Sequence, residues 1–249
     1  MKIGIIGFGH LGKALVKGLL SDAFVRRENI CVTAKSQKTK ELAQSEYGIC
    51  VCRTNQELID ISDIIFICVP PDVFFAEFCD CTPVPESKHI ISLMAGVTIS
   101  KLKNCLGQSS IIRAMPNLGI ERNDGIICYT ETDNQYVVAL LDHLGYSFCV
   151  PEADIEKVTA FASCGIGFAA YILNCFFEKG IALGFSANTT TKIVDNIFRN
   201  ALCAADYSGL VDSVATKGGA TEAGVMRLDE HKTNAIIGDA IDAAYRRMT

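Results

Sequence analysis

Residues 2–12 read Lys2-Ile3-Gly4-Ile5-Ile6-Gly7-Phe8-Gly9-His10-Leu11-Gly12, and this stretch decides the fold. Ile3 to Ile6 is a short, mostly apolar run, and Gly7, Gly9 and Gly12 follow it as G-x-G-x-x-G. Ala14, Leu15, Gly18, Leu19 and Leu20 then recur at helical spacing. A strand that leads through a glycine turn into a helix is the context in which this pattern holds a dinucleotide. Gly7 is expected to make the tight turn, Gly9 to let backbone approach a pyrophosphate, and Gly12 to let the helix press on the strand. Phe8, His10 and Leu11 complete the cofactor turn, with His10 read as a helix-start residue rather than a catalyst. The free N–H groups and positive end of the new helix would face the phosphates. The plainer alternative is a loop glycine cluster in an ordinary α/β protein; the flanking strand and helix favour the dinucleotide site.

The next strand, Ile30 to Thr33, ends in Ala34, Lys35 and Ser36. An NAD site would hold an acid about 20 residues past the glycines, to bond the ribose 2′-hydroxyl. None stands there. Lys35, Ser36 and Lys38 could instead receive a 2′-phosphate, so the expected cofactor is NADPH, with NADH as the alternative. A lysine lacks the planar two-donor fork of arginine and is the weaker phosphate signal. The competing reading is that these are solvated polar residues before a helix over 38–46.

The chain has 249 residues with 49% hydrophobic content, enough for a sizeable core and one or two domains. A net charge of −5 without a basic stripe argues against nucleic acid. The most apolar run, 64–75, is broken by Pro70, Pro71 and Asp72 and falls short of the ~20 residues that cross a bilayer, so no membrane span is expected. No signal peptide is visible. Twelve cysteines include no C-x-x-C and no Cys/His quartet at zinc spacing; Cys50/Cys52 and Cys79/Cys81 are the close pairs. They read as reduced thiols in a cytoplasmic protein, small hydrophobes rather than metal ligands.

Beyond the glycine turn the pattern alternates. Strands are expected at 49–52, 64–69, 89–94, 110–113, 125–129 and 147–150, with helices between them. Thr54 and Glu57 form a capping box for a helix over 55–59, Ser100 is expected to cap a helix ending at Leu106, and a further helix covers 134–144. This alternation predicts an α/β fold, an N-terminal Rossmann-type doubly wound sheet over 1–150. From about Pro151 onward only helices are expected. Residues 156–183 read as one helix, apolar nearly all round through Phe161, Ile166, Ile172, Phe176 and Ile181. A helix of that kind is buried on every side, so residues 151–249 are expected to form an all-α dimerisation and substrate domain of a homodimer or larger homo-oligomer.

These residues resemble the pyrroline-5-carboxylate reductase family almost from end to end. Gly7 to Gly12 matches its cofactor turn, and Asn55 stands where members hold the adenosine end. Cys68-Val69-Pro70-Pro71 is similar to a family stretch read as Ala-Val-Lys-Pro. Ser92 to Ile99, SLMAGVTI and including Ala95, resembles SxxAGVTI; Arg113 to Asn117 resembles RxMPN. Ala162 to Phe168 falls on SGSGPAY, and Lys217 to Gly224 on PGGTTxAG. The resemblance implies hydride transfer from NADPH to the C=N carbon of 1-pyrroline-5-carboxylate, giving L-proline. The imine nitrogen can be protonated in solution, so the protein mainly orients cofactor and substrate. Gly218 and Gly219, opening a helix, would offer N–H groups to an anion. Thr221 would bond the imine nitrogen or the carboxylate, with an N-cap role as its plainer reading. Asn117 at the sheet rim and Ser163 in the long helix complete the expected substrate set; a turn residue and a backbone-bonded hydroxyl are their alternatives.

Four departures stand out from the family pattern: Pro70 for its Lys, Leu118-Gly119 for Thr-Pro, Ile166-Gly167 for Pro-Ala and Lys217 for Pro. A paralogue reducing another cyclic imine, or a catalytically weak nucleotide-binding regulator, is therefore weighed beside the proline-forming reductase. A β-hydroxyacid dehydrogenase ranks low, because residues 163–175 contain no lysine.

Overall fold

The computed structural model describes residues 1–78, 83–107 and 110–249; the expected Cys79/Cys81 pair lies outside them. The chain divides into two compact units, Met1–Cys164 with Tyr245–Thr249, and Gly165–Ala244. The switch to all-helical sequence at Pro151 and this break in packing do not coincide.

The first unit is built on one eight-stranded sheet. Its strands are β1 (Ile3–Ile6), β2 (Ile30–Thr33), β3 (Cys50–Val51), β4 (Ile64–Ile67), β5 (His89–Ser92), β6 (Ser110–Pro116), β7 (Gly125–Tyr129) and β8 (Gly145–Cys149). The spatial order is β3-β2-β1-β4-β5-β6-β7-β8. The first six strands run parallel in the doubly wound order 3-2-1-4-5-6. Every residue of β1, β2 and β4 is buried, which is why these strands read as unbroken apolar runs.

Alternate residues feed opposite faces. Ile3, Ile5, Ile64 and Phe66 join one core, with Leu15 and Leu19 of α1 (His10–Leu20) and Leu140 of α6 (Gln135–His143). Ile6, Ile65 and Ile67 join the other. There they meet Leu58 of α3 (Asn55–Ile61), Phe74 and Phe78 of α4 (Pro71–Phe78), and Leu102 of α5 (Ile99–Leu106). This is the period-two alternation of a strand covered on both sides.

Some local expectations are corrected. β7 pairs antiparallel with β6 and parallel with β8. Only a short helical turn at Leu118–Arg122 joins β6 to β7, too little chain for a parallel crossover. Helix α6 supplies such a crossover between β7 and β8. Thr98, not Ser100, caps α5, because its hydroxyl accepts the Lys101 N–H. The Thr54 hydroxyl accepts the Glu57 N–H as expected, but Glu57 reaches back to the N–H of Arg53, one residue before the cap.

Arg113 of β6 is fully buried and ion-paired with Glu156 and Glu152. The two carboxylates also accept backbone N–H groups beyond β5, Glu156 from Gly96 at 3.2 Å and Glu152 from Ile99 at 2.6 Å. The guanidinium thus ties residues 152–156 to the rim of the sheet. Gly96 is left-handed (φ +72°), and the carbonyl of Met248 would lie 2.9 Å from any Cβ placed there.

Past Asp154 the chain runs through α7 (Ile155–Val158) and a π-helical turn at Thr159–Ser163. The second unit holds α8 (Gly165–Ala182), α9 (Ala187–Leu202), α10 (Tyr207–Val214), α11 (Ala220–Glu230) and most of α12 (Thr233–Met248). The sequence reading did not anticipate α10, whose Gly209 and two valines weaken helical propensity; Asp206 caps it through two N–H groups. α8 packs on α9 through Phe176 against Phe198 and Gly180 against Thr190. No residue of α8 is buried in the single chain, contrary to the all-round burial expected. The helical run Glu152–Ala182 is also long and apolar enough to cross a membrane by length and composition. The sequence reading had found no such segment.

Removing Arg113 leaves a carboxylate enclosed without its cation. Arg113→Met is expected to destabilise the protein by about 3 kcal/mol. Chemical denaturation reads this directly; a loss below about 1 kcal/mol would deny the ion pair its structural role.

Candidate functional site

A cavity of about 490 Å³ opens beyond the carboxyl ends of β1, β2 and β4, where the strand order reverses. This is the crevice that open α/β sheets use for ligands. Of the residues expected to hold a cofactor, the cavity gathers Gly7, Phe8, Gly9, Lys35, Ser36, Asn55, Val69 and Pro70. It does not gather His10, Leu11, Gly12, Ala95 or Lys38 into its wall. The Phe8 ring is buried against Tyr47, so only its backbone faces the cavity.

The three glycines divide the work of the turn. Gly7 is left-handed (φ +96°), and a Cβ there would meet Val69 at 2.7 Å. A Cβ on Gly12 would lie 2.2 Å from the Gly7 carbonyl, so helix and turn are pressed together. Among the described residues, nothing stands within 4 Å of the corresponding point on Gly9. The turn is closed at its first and third glycines and open at its second, as close approach by a phosphate requires. Gly9 is also the N-cap of α1, whose first turn carries no acid. Its unpaired N–H groups therefore suit an anion.

The far end of the cavity is polar. Ser36 caps α2 (Gln37–Ser45), accepting the Thr39 N–H at 3.1 Å, and Thr39 and Thr54 add further hydroxyls. The Thr33 hydroxyl donates to Asn55 Oδ1 at 2.6 Å, and Asn55 Nδ2 donates to Glu77 at 2.8 Å. Arg53 lines this end as well. Sequence reasoning missed it, although its place directly after β3 puts it at the same rim as Lys35. Cys68 closes the cavity at the β4 end. Burial pushes its thiol well above the ordinary range, which makes it a wall rather than a nucleophile. Burial likewise pushes Cys52 up to about 12.

The residues expected to hold a substrate fall in both units. In the first, Asn117 Oδ1 accepts the N–H groups of Gly119 and Ile126, capping the turn after β6. The proline found at position 119 in the family pattern could not donate that bond. Ser163 donates to the Pro116 carbonyl at 3.1 Å, so its hydroxyl is bonded to backbone.

In the second unit, the N–H groups of Gly218 and Gly219 are both in use. Gly218 donates to Glu222 at 2.6 Å and Gly219 to the Thr216 carbonyl at 2.8 Å. The N–H groups without a partner there among the described residues are those of Ala220, Thr221 and Glu222, the first three of α11. The anion-receiving part of this bend therefore begins one residue after the paired glycines. Thr221 is exposed and its hydroxyl has no partner among the described residues.

Comparison with known proteins bears on both units. Residues 2–96 match the family model "NADP oxidoreductase coenzyme F420-dependent", and residues 152–249 match "Pyrroline-5-carboxylate reductase dimerisation". The pyrroline-5-carboxylate reductase of Aquifex aeolicus is 28% identical, over 99% of this chain and 96% of its own. That of Corynebacterium melassecola is 27% identical, over 92% and 90%. The NADP-bound pyrroline carboxylate reductase of Plasmodium falciparum shares the fold at a TM-score of 0.89 and 23% identity, covering 100% of this chain and 97% of that one. The fold and these matches define an oxidoreductase whose α/β dinucleotide domain precedes a helical dimerisation domain. Residues 152–249 belong to the pyrroline-5-carboxylate reductase dimerisation family, and the chain is similar to these reductases over nearly its whole length.

Two substitutions separate the glycine roles. Gly12→Ala is expected to cost about 1–3 kcal/mol, because the new methyl meets backbone. Gly9→Ala, with open space at its Cβ, is expected to cost no more than about 1 kcal/mol, the loss of a favourable N-cap, while weakening dinucleotide binding. Thermal melting with a dinucleotide titration reads both; equal loss of stability in the two variants would contradict the assignment.

Proposed function

We propose that this protein reduces 1-pyrroline-5-carboxylate to L-proline with NADPH. The observation that carries the reading is the cavity at the β1/β4 reversal, open at Gly9 and bearing Lys35 rather than an acid beyond β2. NADPH supplies a hydride when bound. Gly7 to Gly9 and the start of α1 would hold its pyrophosphate, Asn55 and Ser36 its adenosine end, and Val69 and Pro70 the wall beside it. Ala95, outside the cavity wall, stands just beyond β5 at the same rim.

The substrate brings its own activation. A cyclic imine protonated in water presents an electrophilic carbon, so no general acid has to be found in the pocket. The N–H groups of Ala220 and Thr221 suit its carboxylate, and the Thr221 hydroxyl suits its ring nitrogen. Thr221 touches the reacting ring in this reading and is the residue most exposed to test. Asn117 and Ser163 act by shaping the rim around Pro116, since their oxygens are already committed.

The helical unit supports self-association. Tyr171, Leu183 and Leu202 expose 72%, 63% and 72% of their surface in the single chain. A groove of about 640 Å³ along α8 and α9, lined by Leu173, Phe177, Val194 and Phe198, adds to this apolar face. A second copy of the chain would cover it, giving a homodimer or larger homo-oligomer, and a cytoplasmic enzyme is the form this reading takes. A second reading, reduction of a different cyclic imine, is favoured by Lys217, an extra cation at the bend.

Consumption of NADPH in the presence of pyrroline-5-carboxylate, followed by nicotinamide absorbance, is the expected result. Reduction of a six-membered cyclic imine alone would transfer the assignment to the second reading, and dinucleotide binding without any turnover would indicate a regulator. Thr221→Ala is expected to lower kcat by about 10- to 100-fold, the worth of one hydrogen bond to a charged group, with little change in NADPH binding; an unaltered rate removes Thr221 from the site. Light scattering at micromolar concentration should show a dimer or larger species without detergent. A monomer, or recovery only with detergent, would contradict the association.

A further inference from the structure

We propose that Arg53 recognises the 2′-phosphate of the cofactor's adenosine ribose and sets the preference for NADP(H) over NAD(H). This rests on the dinucleotide-reductase reading above and goes beyond it by assigning the discrimination to one side chain. The placement follows from the sheet. β2 and β3 pair in register, Val32 with Val51, and the Cys52 N–H still bonds the Val32 carbonyl at 2.9 Å. One residue further on, Arg53 leaves the sheet beside Ala34 and Lys35, about one strand spacing (~5 Å) away. The cavity wall at this point is made by Ala34, Lys35, Ser36, Thr39, Arg53 and Thr54.

Charge decides which of these matters most. Among the described residues, the charged ones lining the cavity are Lys35, Arg53 and Glu77, and the charge count is theirs. Glu77 is held in place by the Asn55 amide, so its carboxylate is a fixed part of the wall. With Arg53 the wall carries two cations against one carboxylate; without it, one against one. A neutral wall gives little reason to prefer a ribose phosphate, which is close to a dianion at neutral pH, over a hydroxyl. The position at which the family pattern carries a lysine is Pro70 here, which leaves Arg53 and Lys35 as the cations of this wall among the described residues.

Arg53 is also free to act. Its guanidinium has no ion-pair or hydrogen-bond partner among the described residues. The nearby carboxylate of Glu57 is committed to the Arg53 backbone N–H at 2.8 Å, which anchors the main chain and leaves the side chain to the cavity. The planar fork of arginine can bond two phosphate oxygens at once, whereas Lys35 offers a point charge. Ser36 and Thr39, whose hydroxyls lie 2.7 Å apart, provide the neutral donors that complete such a site.

Calorimetric titration of the full chain with NADP⁺ and with NAD⁺ tests this without any imine present. The wild-type protein is expected to bind NADP⁺ more tightly, with an advantage that shrinks as salt rises. Arg53→Ala should reduce the ratio of the two affinities at least tenfold, and Arg53→Lys should recover part of it. A thermal melt close to that of the parent confirms that the variants are folded. If both dinucleotides weaken by the same factor, or if neither changes, Arg53 does not read the 2′-phosphate. If the wild-type chain binds neither dinucleotide, the proposal falls together with the reading it rests on. Normal dinucleotide selectivity without imine turnover would leave Arg53 upheld and remove only the reductase assignment.

Discussion

The close approach of α1 to the turn that precedes it is the constraint on which the rest of the first unit depends. Only a hydrogen fits between Gly12 and the Gly7 carbonyl. That contact lets α1 start at the carboxyl end of β1, with its unpaired N–H groups aimed into the crevice between β1 and β4. From there the consequences are geometric. β2 and β4 flank β1, their following residues become the two walls of the cavity, and hydroxyls and cations collect at the β2 side. A thicker residue at Gly12 would move the helix start and with it every group that faces the ligand.

A second constraint holds the opposite end of the rim. Arg113 is enclosed, and such an ion is tolerated only when its partners are fixed. Glu152 and Glu156 are fixed by the N–H groups of Ile99 and Gly96 as well as by the guanidinium. The loop after β5, the strand β6 and the entry to the helical segment are thereby held as one piece. The same loop carries Ala95, so the network sets the backbone that follows β5 at the cofactor rim.

Much of this was legible in the sequence, and the reasons are physical. Glycines at 7, 9 and 12 between an apolar run and a helical pattern favour a strand–turn–helix, and the apolar runs at 3–6 and 64–69, too short for buried helices, suit buried parallel strands. What escaped were facts that depend on the third dimension. Arg53 was not singled out because the end of β2 that it stands beside, at Ala34 and Lys35, is remote in sequence. The antiparallel β7 escaped because strand direction is set by loop length, and Leu118–Arg122 was not read as a turn too short for a crossover. Gly218 and Gly219 seemed to be free donors until Glu222 and Thr216 were seen to take their N–H groups. The exposure of α8 reverses an expectation about one chain while keeping its logic, since an apolar helix that one copy leaves open is a surface for another.

Hydrogen–deuterium exchange of the full chain with and without NADPH tests the central claim most directly. The account predicts that NADPH slows exchange in the turn at 7–12, in the segments after β2 and β3 at 34–39 and 53–55, and after β4 at 68–70. Protection confined to residues 165–244, with these four segments unchanged, would contradict it.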